Sequence, residues 1–284
     1  MPSLSLSLPT LRTSQLTENP HVLSGESLMI LDPHHRFQEH PGGISIDVVK
    51  EGVRYRDQLE PFKDVVDDIF AIYAGTVFRL PLRTVKQAEQ SKIKTSHTSV
   101  EEIGTILSNF CEHELGEVLL FLKHITKIEI RHIDRDGQSK VIGSVTIEDI
   151  PSPHTVAQGI HFRGTLLQSV NGNTETKWCI RTLQIDKAQA KEAMSERLGY
   201  DVGDSLTSDK LSPLVQLASP INGELIGSLY TLLPLPIRTC FPLHLNAVFA
   251  LTPDRQSLKN IEEVGTLESR ERFAYNSVLV LGLC

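Results

Sequence analysis

GSLYTLLPLPIRTCFPLHLNAVFALTPDRQSL, residues 227–258, is the stretch on which the reading of the whole chain turns. Pro234, Pro236 and Pro242 lie close together in it, between apolar runs. Each proline removes a backbone donor and fixes its own φ, so an amphipathic helix is excluded here. A strand, a stiff extended segment, a turn and a second strand fit the residues. Pro242, His244 and Asn246 alternate with Leu243, Leu245 and Ala247. In a strand that puts polar groups on one face and apolar groups on the other. His244 and Asn246 are therefore either site residues or a half-buried polar row bonded to neighbouring strands.

The remaining chain is globular in composition. Of 284 residues, 40% are hydrophobic and 22% charged, with a net charge of −7, so no broad basic field invites nucleic acid. No apolar run reaches the roughly 18–20 residues that span a bilayer. The start, MPSLSLSLPTLRTSQ, lacks the basic end and continuous apolar core of a secretory signal. Cys111, Cys179, Cys240 and Cys284 are far apart, with no metal or redox spacing. A reducing, cytoplasmic location is the expectation.

Outward from the proline-rich stretch, the pattern is α+β. Residues 1–20 show no convincing periodicity and are expected to be poorly ordered. Residues 21–31 read as strand, turn at Ser24-Gly25, strand. DPHHRFQEHPGG then interrupts regular structure. Residues 60–73 (EPFKDVVDDIFAIY) carry a helical stripe of Phe62, Val65, Val66, Ile69, Ile72 and Tyr73. Gly75 ends that helix and residues 76–83 follow as a strand, with Pro81 favouring a sheet edge. Residues 86–98 read as a polar linker. Ser99, with Glu101 and Glu102 behind it, caps the next helix, and residues 115–123 are expected to form another. Residues 127–133, 140–150, 159–170 and 176–185 alternate between turn signals at Asp136-Gly137 and Asn171-Gly172, which predicts an antiparallel meander. Residues 188–198 and 268–279 read as helices; 214–218 and 226–233 read as strands.

Local signals for chemistry are sparse. Asp32-Pro33-His34-His35 with His40 matches no zinc template, and a turn in which Asp32 accepts backbone hydrogen bonds explains it. Neither common glycine-rich phosphate loop is present. Ser24 in LSGES lacks the spacing of a nucleophile elbow. Thr76 after Gly75 reads as a strand start, and Arg255 in TPDRQ as a cation after a turn.

Taken together, the motifs carry a resemblance. Residues 227–258 resemble the sacsin family's signature G-x-L-F/Y, LPLPI-x-T-x-x-P-V/L-H-V/L-N, FAL and R. LSGESLMILDPH is similar to its SG and DPH segment, FAIYAGTVFRLPLRT to its GT-x-FR-PLR, and VLLFLKHITKIEI to its LLFL-x-x-I-x-x-I strand entry. LSPLVQLASPI precedes the final motif as in the family, and ERFAYNSVLV resembles its WN-x-x-L helix with Tyr275 in place of Trp.

The resemblance implies a partial GHKL (Bergerat-type) ATP-binding sandwich over residues 21–85 and a linker over 86–98. A mixed α/β segment like the start of a heat-shock chaperone's middle domain follows over 99–284. It implies a chaperone-related, client-binding module, with client proteins or chaperone machinery as partners and neither nucleic acid nor membrane. ATP and Mg²⁺ are implied for a full-length member. The acidic–Asn helix, the Asp-x-Gly motif and the glycine-rich lid have no counterpart in residues 1–23. The expectation is thus an incomplete ATP site, no cofactor held by this chain and no enzymatic activity, in an internal piece of a larger protein or a gene model with displaced ends. A GHKL-type ATPase whose early motifs lie outside the sequence, and an inactive scaffold, are the alternatives. By resemblance, Gly75 and Thr76 are candidates for the adenine-side contact, and Arg255 for the γ-phosphate arginine.

Overall fold

The structure, a computed structural model, describes residues 16–33, 42–151, 159–202, 213–252, 257–258 and 267–281. The expectations for residues 1–15 and for the histidines of the DPHH turn lie outside them. Helices and largely antiparallel sheets make the fold α+β, as the pattern predicts. Among the described residues no helix is long and apolar enough to cross a membrane. The described residues divide into two compact units: those up to Leu107 together with Asp134–Gln138, and those from Ser108 to Ile133 and from Ser139 onward.

The N-terminal unit is built on a four-stranded antiparallel sheet in the order β3-β2-β1-β4, from β1 (His21–Gly25), β2 (Ser27–Asp32), β3 (Gly42–Asp47) and β4 (Tyr73–Arg79). The β1–β2 turn sits one residue later than expected, at Gly25-Glu26, because Ser24 pairs with Ser27. Gly25 has φ +58°, the left-handed value that a type II′ turn needs at its first central position. Leu23, Leu28, Ile30 and Ile46 point inward and pack with Val48, Leu59, Phe62 and Val66. Short helices α1 (Val48–Glu51) and α2 (Arg56–Leu59) carry part of that cover.

The helix expected over residues 60–73 does not form. A single 3₁₀ turn, Glu60–Phe62, is followed by turns, and Tyr73 already belongs to β4. Asp68 Oδ1 takes the Phe70 N–H at 2.9 Å, diverting a donor that a helix would use. Only Phe62 and Val66 of the apolar stripe are buried, while Val65 and Ile72 are exposed. β4 is an edge strand, as Pro81 suggests, but it ends at Arg79. Within residues 86–98, read as loop, the start is helical: α3 (Val85–Glu89) is held by a capping box between Thr84 and Gln87. Helix α4 (Val100–His113) starts at Ser99, whose Oγ accepts the Glu102 N–H while its own N–H donates to Glu102 Oε2.

The C-terminal unit holds an eight-stranded sheet ordered β11-β10-β12-β9-β8-β7-β6-β5. The predicted meander is its larger half: β5 (Lys127–Ile133), β6 (Ser139–Ile150), β7 (Ile160–Ser169) and β8 (Gly172–Gln184). The proline-rich stretch supplies β10 (Ser228–Thr231), β11 (Leu233–Arg238) and β12 (His244–Ala247), beside β9 (Leu214–Pro220). Pro234 and Pro236 lie in β11, the outermost strand, the place in a sheet where proline is tolerated.

Apolar clusters pack on both faces of this sheet. Helices α5 (Lys187–Leu198) and α6 (Leu267–Leu281) bring Ala190, Met194, Ala274 and Tyr275 against Val215, Leu229, Leu245 and Ala247. On the other face, Leu115 and residues 118–121 pack on Val145, Ile147, Trp178 and Ile180. The helix expected over 115–123 is instead a series of tight turns, with i to i+3 bonds such as Leu120 N–H to Glu117 O. Val118, Leu119, Leu120 and Phe121 are all buried, so the apolar residues here do not keep to the one stripe that an amphipathic surface helix would show. Arg163 of β7 secures the segment by donating Nη1 to the carbonyls of Leu120 (2.9 Å) and Leu122 (3.0 Å).

Candidate functional site

Gly75 and Thr76 lie in the middle of β4, both exposed. Thr76 faces Ser24 of β1 across the ladder, with the two hydroxyls 2.8 Å apart. Ser24 Oγ also donates to the carbonyl of Gly75 at 3.2 Å. Hydroxyls so placed can donate to or accept from a polar ligand edge; among the described residues the hydrogen-bond partners of Ser24 Oγ are Thr76 Oγ1 and Gly75 O, neither of them a base. Arg255 lies outside the described residues.

The other conspicuous residues of the N-terminal unit hold the fold. Arg83 is fully buried and ion-paired through Nε to the equally buried Glu18. Its other nitrogens reach the carbonyls of Thr17 and Ser96, each at 3.4 Å, and its N–H donates to Leu16 O. Arg79 donates to Nδ1 of His21 at 3.2 Å. Burial, assisted by that guanidinium, lowers the His21 pKa to about 4. Asp32 is buried at the end of β2.

The alternating row on β12 brings several polar groups together in the C-terminal unit. Leu245 and Ala247 face α5 and α6, as the alternation predicts. His244 and Asn246 face the other way, yet they too are buried. His244 Nδ1 accepts the Ser228 N–H at 3.1 Å, and Nε2 lies 3.2 Å from Glu117 Oε2. Its ring packs edge-on to Tyr230 at 5.0 Å and tilted on Trp178 at 5.5 Å. Asn246 Oδ1 accepts the Leu232 N–H at 2.7 Å, and Nδ2 donates to Gln216 Oε1 of β9 at 2.9 Å. Leu232 has φ +69°, a conformation that leucine adopts only when its surroundings enforce it.

Both residues therefore act as a hydrogen-bonded row joining strands, the second of the two sequence readings. The sequence reading missed Glu117, Tyr230, Ser228 and Arg238, which come together only through pairing of distant strands. Arg238 donates to Ser228 Oγ at 2.9 Å. Burial raises the Glu114 pKa, against the pull of Arg238. Burial likewise raises the Tyr230 hydroxyl far above its usual range, helped by Glu117. Among the described residues no group of three or more His, Cys, Asp or Glu is placed to hold a metal ion.

Comparison with known proteins places these residues in a family context. Residues 14–143 match the model of the sacsin domain. The chain is 25% identical to human sacsin across 86% of its own length. These findings support a sacsin-family assignment. The sacsin-domain match includes Glu18, Arg79 and Arg83, so two cations of the GT-x-FR-PLR motif serve the fold of the N-terminal unit. The chain spans only 6% of the length of human sacsin.

Proposed function

We propose that this chain is a sacsin-like, chaperone-related module that engages protein clients or chaperone machinery in the cytoplasm and performs no ATP turnover by itself. The observation that carries this reading is the sacsin-domain match over residues 14–143, extended by similarity to human sacsin over most of the chain. In this reading the N-terminal unit is the later part of a GHKL-type ATP-binding sandwich. Gly75 and Thr76 descend from its adenine-side contact, and Arg255 is the counterpart of the middle-domain arginine that meets a γ-phosphate. ATP and Mg²⁺ belong to the full-length family member. The C-terminal unit resembles the beginning of a chaperone middle domain.

Light scattering from a heat-denatured client protein tests the proposal. Aggregation is expected to fall when stoichiometric amounts of this chain are present, whether or not Mg-ATP is added. Unchanged aggregation with several clients would leave only an inactive scaffold.

A second reading, a GHKL-type ATP-binding domain, is favoured by one observation: Thr76 is an exposed strand residue with its hydroxyl on the surface. Calorimetric titration with Mg-ATP separates the two readings. Micromolar binding by this chain, weakened by Thr76→Val, would establish the second.

A further inference from the structure

Three dipeptides in the chain place a glycine directly behind an Asn or Asp: Asp136-Gly137, Asn171-Gly172 and Asn222-Gly223. In each, the glycine nitrogen can reach the side-chain carbon Cγ and close a five-membered imide, and glycine has no side chain to obstruct the ring. The attack requires that nitrogen to give up its proton. A glycine N–H held in a hydrogen bond is withheld from the reaction, so the partners of these N–H groups decide which dipeptide reacts.

Two of them are committed. Ser169 pairs with Gly172 across the two-residue loop Val170-Asn171, and closing such a hairpin takes the Gly172 N–H into the ladder between β7 and β8. The tip is tied further, because the Asn171 N–H donates to Ser169 Oγ at 3.2 Å and Ser169 Oγ donates to the Gly172 carbonyl at 3.3 Å. In the turn between β5 and β6, the Gly137 N–H donates to the Asp134 carbonyl at 3.1 Å, and Asp134 Oδ1 accepts the Asp136 N–H at 2.9 Å.

Asn222 and Gly223 differ from both. They lie in the connection from β9 to β10, outside any strand or helix, and both are exposed. Among the described residues the Gly223 N–H has no hydrogen-bond partner. A Cβ at Gly223 would meet nothing within 4 Å, so the ring has room to close.

From this geometry we infer that Asn222 is a self-modifying site: the folded chain deamidates at Asn222-Gly223. The Gly223 nitrogen loses its proton to a solvent base and bonds to Asn222 Cγ, while the bond from Cγ to the side-chain amide nitrogen breaks and that group leaves as ammonia. Water then opens the imide. Attack at Cγ restores the normal backbone and leaves aspartate; attack at the main-chain carbonyl of residue 222 leaves isoaspartate, with the backbone running through the former side chain. Either product adds a negative charge close to Glu224. Isoaspartate also lengthens the main chain just after Ile221, whose N–H extends the pairing of β8 with β9 by donating to Lys177 O at 2.8 Å.

The test ages the intact folded chain at pH 8 and follows the peptides that contain Asn171 and Asn222 by mass spectrometry. Isoaspartate is quantified in parallel by methyl transfer from an isoaspartyl methyltransferase. Asn222 is expected to convert at least about tenfold faster than Asn171, because the ladder bond of Gly172 must open before its nitrogen can react. In concentrated urea the two asparagines are expected to convert at similar rates. The methyl-accepting signal should largely disappear in Asn222→Gln, whose longer side chain closes an imide far more slowly.

Conversion of Asn171 as fast as Asn222 in the folded chain would overturn the inference. So would Asn222 left intact in the folded chain while it converts in urea, or an undiminished methyl-accepting signal in Asn222→Gln. The comparison of the two peptides needs only the unaltered chain.

Discussion

At the scale of single residues, two arrangements in the N-terminal unit make distinct predictions. Arg83 and Glu18 form an ion pair that is shut off from solvent at both ends. Arg83→Met removes the cation and leaves the carboxylate buried, at an expected cost of about 3–5 kcal/mol by urea unfolding. The double variant Glu18→Leu with Arg83→Met should recover much of that loss, because both charges then go together. A double variant as unstable as the single one would show that the carbonyl contacts of Arg83 matter more than the ion pair.

His21 makes a pH prediction. Its folded pKa of about 4 lies below the ordinary 6.5, so between those values the unfolded chain binds the extra proton and the folded chain does not. Stability from this residue is complete above about pH 6.5 and declines as the pH falls towards 4. His21→Asn is expected to flatten that part of the melting-temperature profile. An identical profile in the variant would assign the acid sensitivity elsewhere.

At the scale of elements, propensity succeeded where capping and alternation agreed with burial. Helix α4 starts at the serine that was legible as its cap, and the meander strands follow the alternation between their turn residues. Propensity failed at residues 60–73 and 115–123. In each place the apolar spacing was real, but tertiary partners used it differently. Asp68 interrupted the first helix, and the second segment buries four successive apolar residues in place of a single stripe.

Gly143 tests how closely the second segment is packed. A Cβ at Gly143 of β6 would stand 2.6 Å from Cys111 Sγ and 3.0 Å from Leu115 Cδ2. Gly143→Ala should therefore cost about 1–3 kcal/mol of stability. In a Cys111→Ala background the same substitution should cost clearly less, since the closest atom is gone. Equal costs in both backgrounds would mean that the Cys111 thiol is not what resists the added methyl.

At the scale of the whole molecule, each unit has its own core: one around Leu28, Leu59 and Phe62, the other distributed over both faces of the eight-stranded sheet. Separate cores lead us to expect two transitions in scanning calorimetry. Arg83→Met should lower one transition and Gly143→Ala the other. A single transition shifted by both substitutions would contradict this independence.

The candidate nucleotide contacts were legible only through family resemblance. Gly75 and Thr76 stand on an exposed edge strand, where nothing in their local pattern distinguishes them from any strand start. The row on β12 was legible as a pattern, because alternation along a strand is a local property, but its partners were not. Glu117, Ser228 and Gln216 reach His244 and Asn246 from other elements.

By itself, the sequence determined the α+β class, the meander, the edge position of the strand leading to Pro81 and the two faces of β12. These follow from backbone donors, φ restriction and a side-chain period of two, all of which act over a few residues. Only the tertiary structure decided that both faces of β12 are buried, that residues 115–123 are not helical and that Arg83 is a core residue. Those outcomes depend on which distant groups share a dry interior. There an unpaired charge or an unmet N–H is costly enough to override local preference.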